Sequence, residues 1–135
     1  MPSDLDMHAM SADAAARSQD AEGLQRYLPI AEESAARANH KLYVAMARRA
    51  RGVAHRLTGE WDQAADQLAA AAEEFRALDT PWQIGLTLLE LGEVEHSRGN
   101  TDLAGEHYSQ ALTAFERLGA VPYEERAREA LESLS

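Results

Sequence analysis

The stretch GEWDQAADQLAAA, residues 59–71, carries one aromatic, one glycine, and alanines where a helix ordinarily uses larger side chains. Small residues in that number either build a site or make room for a neighbouring helix. The rest of the chain points to room. Set one above the other, RGVAHRLTGEWDQAADQLAAAAEEFRALDTP (residues 51–81) and LGEVEHSRGNTDLAGEHYSQALTAFERLGAVP (residues 91–122) align at a constant offset of 40 residues. Gly52 falls on Gly92, Gly59 on Gly99, Ala64 on Ala104, Leu68 on Tyr108, Ala71 on Ala111, Phe75 on Phe115 and Leu78 on Leu118. A fixed period of this length is the mark of a repeat architecture. Applied backwards, the same offset sets Ala12 under Gly52, Leu28 under Leu68, Ala31 under Ala71 and Ala35 under Phe75. The first of the three repeats is therefore degenerate, as expected of an end unit that meets a neighbour on one side only.

Each repeat reads as two helices. Gly59 and Gly99 are expected to stop the first helix of the second and third repeats. Asp20 is a candidate N-cap in the first. Thr80, Pro81 and Gln83 read as a capped start with proline at the first helical position. The last stretch, AVPYEERAREALESLS, opens a seventh helix near Pro122, with Ala127, Ala130, Leu131 and Leu134 at helical spacing. Helices are expected at about 4–18, 21–38, 41–57, 61–77, 81–98, 101–118 and 122–134, with ends uncertain by about two to four residues. Pro29 falls inside the second of these, where a kink or a restart is expected.

Composition agrees with an all-α chain. The 135 residues are dominated by Ala, Leu, Glu, Gln and Arg, good helix formers. This is one domain's worth of chain, 1–135, long enough to bury a core without crosslinks. No cysteine is present, which excludes disulfides, thiol catalysis and thiolate metal ligation. The formal charge of −10 disfavours a nucleic-acid backbone as partner. The N-terminal residues have no apolar run of a signal peptide, and no stretch approaches the roughly 20 apolar residues of a membrane span. A soluble cytoplasmic protein is the expectation. Lys41 is the single lysine among 13 basic residues, a composition that fits a GC-rich bacterial genome.

Glycine in the first helix, glycine at the turn, an aromatic just after it and two small residues in the second helix resemble tetratricopeptide repeats. Here those residues are Gly52, Gly59, Trp61, Ala64 and Ala71, then Gly92, Gly99, Ala104 and Ala111. The resemblance implies a right-handed solenoid of three helix-turn-helix repeats, about 4–40, 41–80 and 81–120, closed by a capping helix at 121–135. In such a stack Ala64 and Ala71 are holes, and Leu68 and Phe75 are knobs. Residues 42–134 also look like the C-terminal repeats of LuxR-type, MalT-like bacterial regulators and related ATPases. Residues 1–135 hold neither their nucleotide-binding nor their helix-turn-helix domain, so the expectation is either a stand-alone repeat protein or a segment of something longer. Arg48, Arg51 and His55 stand where the pattern uses large apolar residues, so the junction of repeats 1 and 2 is expected to be more polar and less tight than the next one.

The resemblance also implies a concave groove lined by the first helix of each repeat. By register its lining is Asp6, Ala9, Asp13 and Arg17, then Met46, Arg49, Val53 and Arg56, then Leu86, Leu89, Glu93 and His96. The clamp of Lys, Arg and Asn that holds chaperone tails is missing, since Ala9, Asp13, Val53, Leu89 and Glu93 occupy its places. What the register leaves is an apolar patch of Met46, Val53, Leu86 and Leu89 flanked by Arg49 and Arg56. The expectation is a non-catalytic scaffold that holds a partner peptide or helix. The alternative is a ligand-sensing or self-associating module of a bacterial regulator, with a homodimer through the terminal repeats.

Chemistry-bearing patterns are sparse. Glu93 and His96 lie at i, i+3 on one helix and Glu106 and His107 on the next, but no doubled metal motif accompanies them. No strand–turn–helix elbow holds a serine, and no glycine-rich phosphate loop occurs. Neither a catalytic residue nor a metal or cofactor is expected. The run Arg48, Arg49, Arg51 and Arg56 either clamps a partner's carboxylates or pairs with local acids such as Glu32, Glu33, Glu73, Glu74, Glu90 and Glu95; the second reading is favoured.

Overall fold

Helix ends set the rhythm of this chain. The computed structural model describes residues 3–135. Among them are seven α-helices and no strand: α1 (Asp4–Arg17), α2 (Ala21–Ala38), α3 (Lys41–Leu57), α4 (Trp61–Ala77), α5 (Pro81–Ser97), α6 (Thr101–Leu118) and α7 (Val121–Glu132). Each of the first six is followed by a residue with positive φ: Gln19, Asn39, Gly59, Asp79, Gly99 and Gly119. The spacing is 20 residues throughout, half the repeat read from the sequence. The next backbone N–H turns back to the carbonyl five residues earlier: Asp20 to Ala15, His40 to Ala35, Glu60 to His55, Thr80 to Phe75, Asn100 to Glu95 and Ala120 to Phe115, at 2.8–3.3 Å. This is the Schellman closure, which satisfies otherwise orphaned carbonyls and reverses the chain. Gly59 and Gly99 stop α3 and α5 as expected. Gln19, Asn39 and Asp79 do the same work without being glycine.

Helix starts are less uniform. Ser3 accepts from the Asp6 N–H at 3.1 Å while Asp6 accepts from the Ser3 N–H at 3.1 Å, a reciprocal box at the head of α1. Asp20 caps α2 by accepting from the Gly23 N–H at 3.0 Å, as expected. Thr80 departs from expectation: its side chain makes no capping bond, and α5 starts on Pro81 alone. Its φ of −118° and ψ of 90° lie outside the extended conformation usual for a capping residue. Pro29 does not restart α2, which runs unbroken from Ala21 to Ala38 with Pro29 on its exposed side.

The chain divides into two compact units, one ending at Glu74 and the other Phe75–Ser135. In the first, α1, α2 and α3 close on a core of Ala12, Ala15, Ala16, Leu24, Leu28, Ala31, Ala47, Ala50 and Val53. Alanines dominate because three helix backbones converge there at short range. Close approach also joins α3 to α4: a Cβ at Gly52 would lie 2.6 Å from Leu68 Cγ and 3.3 Å from the Ala64 carbonyl oxygen. Two ion pairs border this apolar core, Arg51 of α3 with Glu32 of α2 and Arg49 with Asp13 of α1.

In the second unit α5 and α6 pack through the same device. A Cβ at Gly92 would lie 2.3 Å from Tyr108, and one at Gly85 would lie 2.7 Å from Phe115. The helix α7 docks through aromatic edges: Trp82 meets Tyr123 at 4.7 Å and Phe115 at 5.7 Å between ring centroids. Ala127 is fully buried, and Arg128 reaches Glu116 at 3.4 Å. No helix among the described residues is long and apolar enough to cross a membrane.

Candidate functional site

The residues expected to line a groove fall on three helices, four each on α1, α3 and α5, and those of α5, in the second unit, are treated on their own. On α3, Met46, Arg49 and Val53 follow one another at intervals of three and four, and so share a face of the helix. That face is turned inward. Val53 is only 1% exposed and belongs to the core shared with α1 and α2; Met46 is also buried. Arg49 is 2% exposed, and its Nη2 donates to Asp13 Oδ1 at 2.6 Å. Arg17 stands 3.9 Å from the other Asp13 oxygen. The expected apolar docking patch is therefore corrected for Met46 and Val53, which are core, and for Arg49, an internal counterion. Asp13 and Ala9, expected on the groove surface, share this fate: Asp13 is the acid that neutralises Arg49, and Ala9 is buried. The physical reason is that alanine-rich helices approach so closely that residues at the edge of the interface become part of it. Arg56 remains half-buried.

On α5, Leu86 is buried and Leu89 half-buried, while Glu93 and His96 are exposed. Glu93 accepts from the Tyr108 hydroxyl of α6 at 3.2 Å. Among the described residues no three of His, Asp or Glu converge closely enough to hold a metal ion. The accessible remainder of the expected lining is thus Leu89, Glu93 and His96, with Arg56 on α3.

The arginine run is drawn into local pairs, the reading favoured from the sequence. Arg48 Nε donates to Glu74 Oε1 at 2.6 Å. Arg51 makes a two-pronged bond to Glu32, at 2.9 and 2.5 Å, and this raises the already high pKa of its guanidinium. Paired in this way, these groups have little charge left to present to a partner's carboxylate.

Three polar clusters were not foreseen. At the head of α1 and α3, the Tyr43 hydroxyl donates to Asp6, and the His40 ring stacks on Tyr43 at 3.9 Å. His40 Nδ1 accepts from the Tyr43 N–H at 3.2 Å, so this histidine caps α3. The bond from Tyr43, then those from Ser3, hold the Asp6 carboxyl below the usual range, and the Asp6 contact raises the Tyr43 hydroxyl. The Ser-x-x-Asp spacing of residues 3–6 is a readable capping signal that would have located half of this cluster. At the α3–α4 turn, Glu60 accepts from Thr58 at 2.8 Å and lies 3.0 Å from His55 Nδ1, which lowers its pKa. In the second unit, burial depresses the pKa of His107, whose Nδ1 is buried without a hydrogen-bond partner. Glu95, also buried, is held by Arg98 and Asn100, each at 3.4 Å.

The first two clusters join helix ends to one another. In the first, the Ser3 hydroxyl is bonded to Asp6 and His40 Nδ1 to a backbone N–H, so neither is held against the other. Compared with known proteins, the chain matches no family model, no curated protein and no solved structure.

Proposed function

We propose that this chain is a tetratricopeptide-like helical repeat, a right-handed stack of three helix pairs with α7 as its cap, and that it binds a partner protein without catalysis. The observation that carries this reading is the repeated hairpin. A Schellman closure every 20 residues and a side chain seated against glycine at Gly52–Leu68 and again at Gly92–Tyr108 are features of an array that offers helix surfaces to another chain. Asp20, Arg48 and Arg51 are bound into a cap and two ion pairs, which supports a scaffold role. The partner is a peptide or helix reading the exposed side of α5, with Leu89 as the apolar contact and Glu93 and His96 beside it.

The test is affinity capture with the full chain, followed by titration of the purified partner against Leu89→Asp. Binding should fall at least tenfold while the helical circular-dichroism signal is kept. A partner whose affinity ignores Leu89→Asp would remove α5 from the contact. A chain that captures nothing at micromolar concentration would end the scaffold reading.

A second reading, self-association through the first repeat, has its own support. Met7 and Met10 on α1 are 55% and 59% exposed, and Tyr27 and Ile30 on α2 are exposed too. The positions 40 residues on from the two methionines, Ala47 and Ala50, are buried. Sedimentation of the chain against Met7→Asp/Ile30→Asp tests it: a dimer that the double change splits supports it, and a monomer at high micromolar concentration refutes it.

A further inference from the structure

Among the described residues one buried side-chain nitrogen makes no hydrogen bond, Nδ1 of His107 on α6. The ring is half-buried, and the partner-binding reading above gives it no part. Buried polar atoms are almost always paired, so an idle one calls for an account. Whichever tautomer the neutral ring takes, Nδ1 is idle. In the charged ring both nitrogens are donors, and Nδ1–H then requires an acceptor.

Three charged groups act on this ring: Glu95 of α5, Glu106 of its own helix and Arg76 near the end of α4. Arg76 repels a proton. Glu106 adjoins His107 in sequence and is exposed, and consecutive side chains on a helix point apart. Glu95 is left as the acceptor. It is 4% exposed and loosely held: Arg98 and the Asn100 side-chain amide reach its carboxylate at 3.4 Å each. Ordinary bonds of this type measure about 2.7–3.2 Å. The Asn100 N–H also donates to the Glu95 backbone carbonyl at 2.8 Å, so these two residues tie the α5–α6 turn twice. Forty residues earlier His55 and Glu60 hold the same two places and tie their turn at 3.0 Å. In the second unit the side-chain tie is the longer one, and its acid is the buried member.

We infer that His107 and Glu95 form an acid-operated latch: a protonated His107 donates from Nδ1 to the Glu95 carboxylate, which lets go of Asn100 and Arg98 and undoes the side-chain tie of the turn at 97–100. The proton comes from solvent and stays on the ring, and only hydrogen bonds change. A bond between imidazolium and carboxylate is short and charge-assisted, so it displaces two contacts at 3.4 Å. Burial opposes the charged ring and keeps the changeover below the ordinary histidine value of 6.5. Neutral solution therefore leaves the turn tied, and mildly acid solution loosens it. The backbone bond from Asn100 to Glu95 is untouched, so α5 and α6 persist while their junction gains freedom. The latch needs no partner chain and stands apart from the partner-binding reading.

The test is a titration of the full chain, labelled with carbon-13 and nitrogen-15, from about pH 7.5 to about pH 5. The His107 ring nitrogens should titrate below 6.5, and the Glu95 carboxyl carbon and the Asn100 side-chain amide should move with the same midpoint. Amide protection at residues 97–101, corrected for the intrinsic pH dependence of exchange, should fall about tenfold across that midpoint while the helical circular-dichroism signal is kept. Asn100→Ala, an exposed change that removes no capping bond, takes away one rival for the carboxylate and should raise the His107 midpoint. Glu95→Gln should lower that midpoint and abolish the pH response of the turn. Because Glu95 is buried, Asn100→Ala decides alone if Glu95→Gln does not fold. A His107 ring that stays neutral throughout, a titration that leaves the Glu95 and Asn100 signals in place, or a midpoint unmoved by Asn100→Ala overturns the latch. So does loss of the helical signal in step with His107, which is unfolding and not release of a turn.

Discussion

Gly92 and Gly105 lie in the interiors of neighbouring helices, and replacing each by alanine should move stability in opposite directions. Alanine is the better helix former by about 1 kcal/mol, so propensity alone stabilises both variants. Packing reverses the sign at one of them. A Cβ at Gly92 would lie 2.3, 2.5 and 2.9 Å from three carbons of the Tyr108 ring, whereas one at Gly105 would find only Leu134 Cδ1, at 3.6 Å. Ordinary carbon–carbon contact begins near 3.4 Å, so the Tyr108 ring must retreat by about 1 Å. It has little freedom to do so, being 1% exposed and bonded through its hydroxyl to Glu93. Overpacking of this kind costs about 1–3 kcal/mol, and the full ångström places it at the upper end. Net of propensity, Gly92→Ala should lose about 1–2 kcal/mol and Gly105→Ala should gain about 0.5–1 kcal/mol. For a chain of this length those values correspond to a Tm lower by about 3–10 °C and higher by about 2–4 °C. Thermal unfolding followed at 222 nm reads both. The cycle Gly92→Ala, Tyr108→Ala and the double variant should show a favourable coupling, since the truncated ring no longer opposes the new methyl. A Gly92→Ala protein as stable as the parent would show that α5 and α6 do not pack through this glycine.

Three further outcomes follow from the same geometry. Arg49→Met should cost about 2–3 kcal/mol by leaving Asp13 with only the distant Arg17, and Asp13→Leu/Arg49→Met should recover at least half of that, as read from urea denaturation. Gly99→Ala should cost about 1 kcal/mol, although a Cβ there meets nothing within 4 Å, because φ is +84°; Gln19→Gly, at φ +59°, should shift Tm the other way by a smaller amount, having given up its side-chain bond to Ala16. His107 has a folded pKa below its ordinary 6.5 because burial disfavours the charged ring. Its contribution is complete above that pH and is lost as pH falls through 6.5 towards the folded value, since the unfolded chain takes up the proton first. Tm between about pH 7.5 and 5.5 should therefore fall more steeply in the parent than in His107→Asn, whereas Asp6 and Glu60, with carboxyls held below 3.8 and 4.5, act only in more acid solution.

The sequence by itself determined the seven helices and their phase. Glycine at 52, 59, 92 and 99, alanine at 64, 71, 104 and 111, and proline at 81 and 122 are local signals. A missing side chain, a left-handed turn residue and a fixed φ act over a few residues and need no tertiary partner to be read. The left-handed role of Gln19, Asn39 and Asp79 was hidden, because these residue types occupy many other conformations. Only the 20-residue closure, imposed on them by the helices they join, puts them there. The candidate site was legible in its charges and illegible in its exposure. Helical spacing set Met46, Arg49 and Val53 on one face of α3, but periodicity cannot say whether that face meets water or a neighbouring helix. The depth of α1 and α2 against α3 decided it, through alanines small enough to let the backbones close over Val53 and bring Asp13 to Arg49.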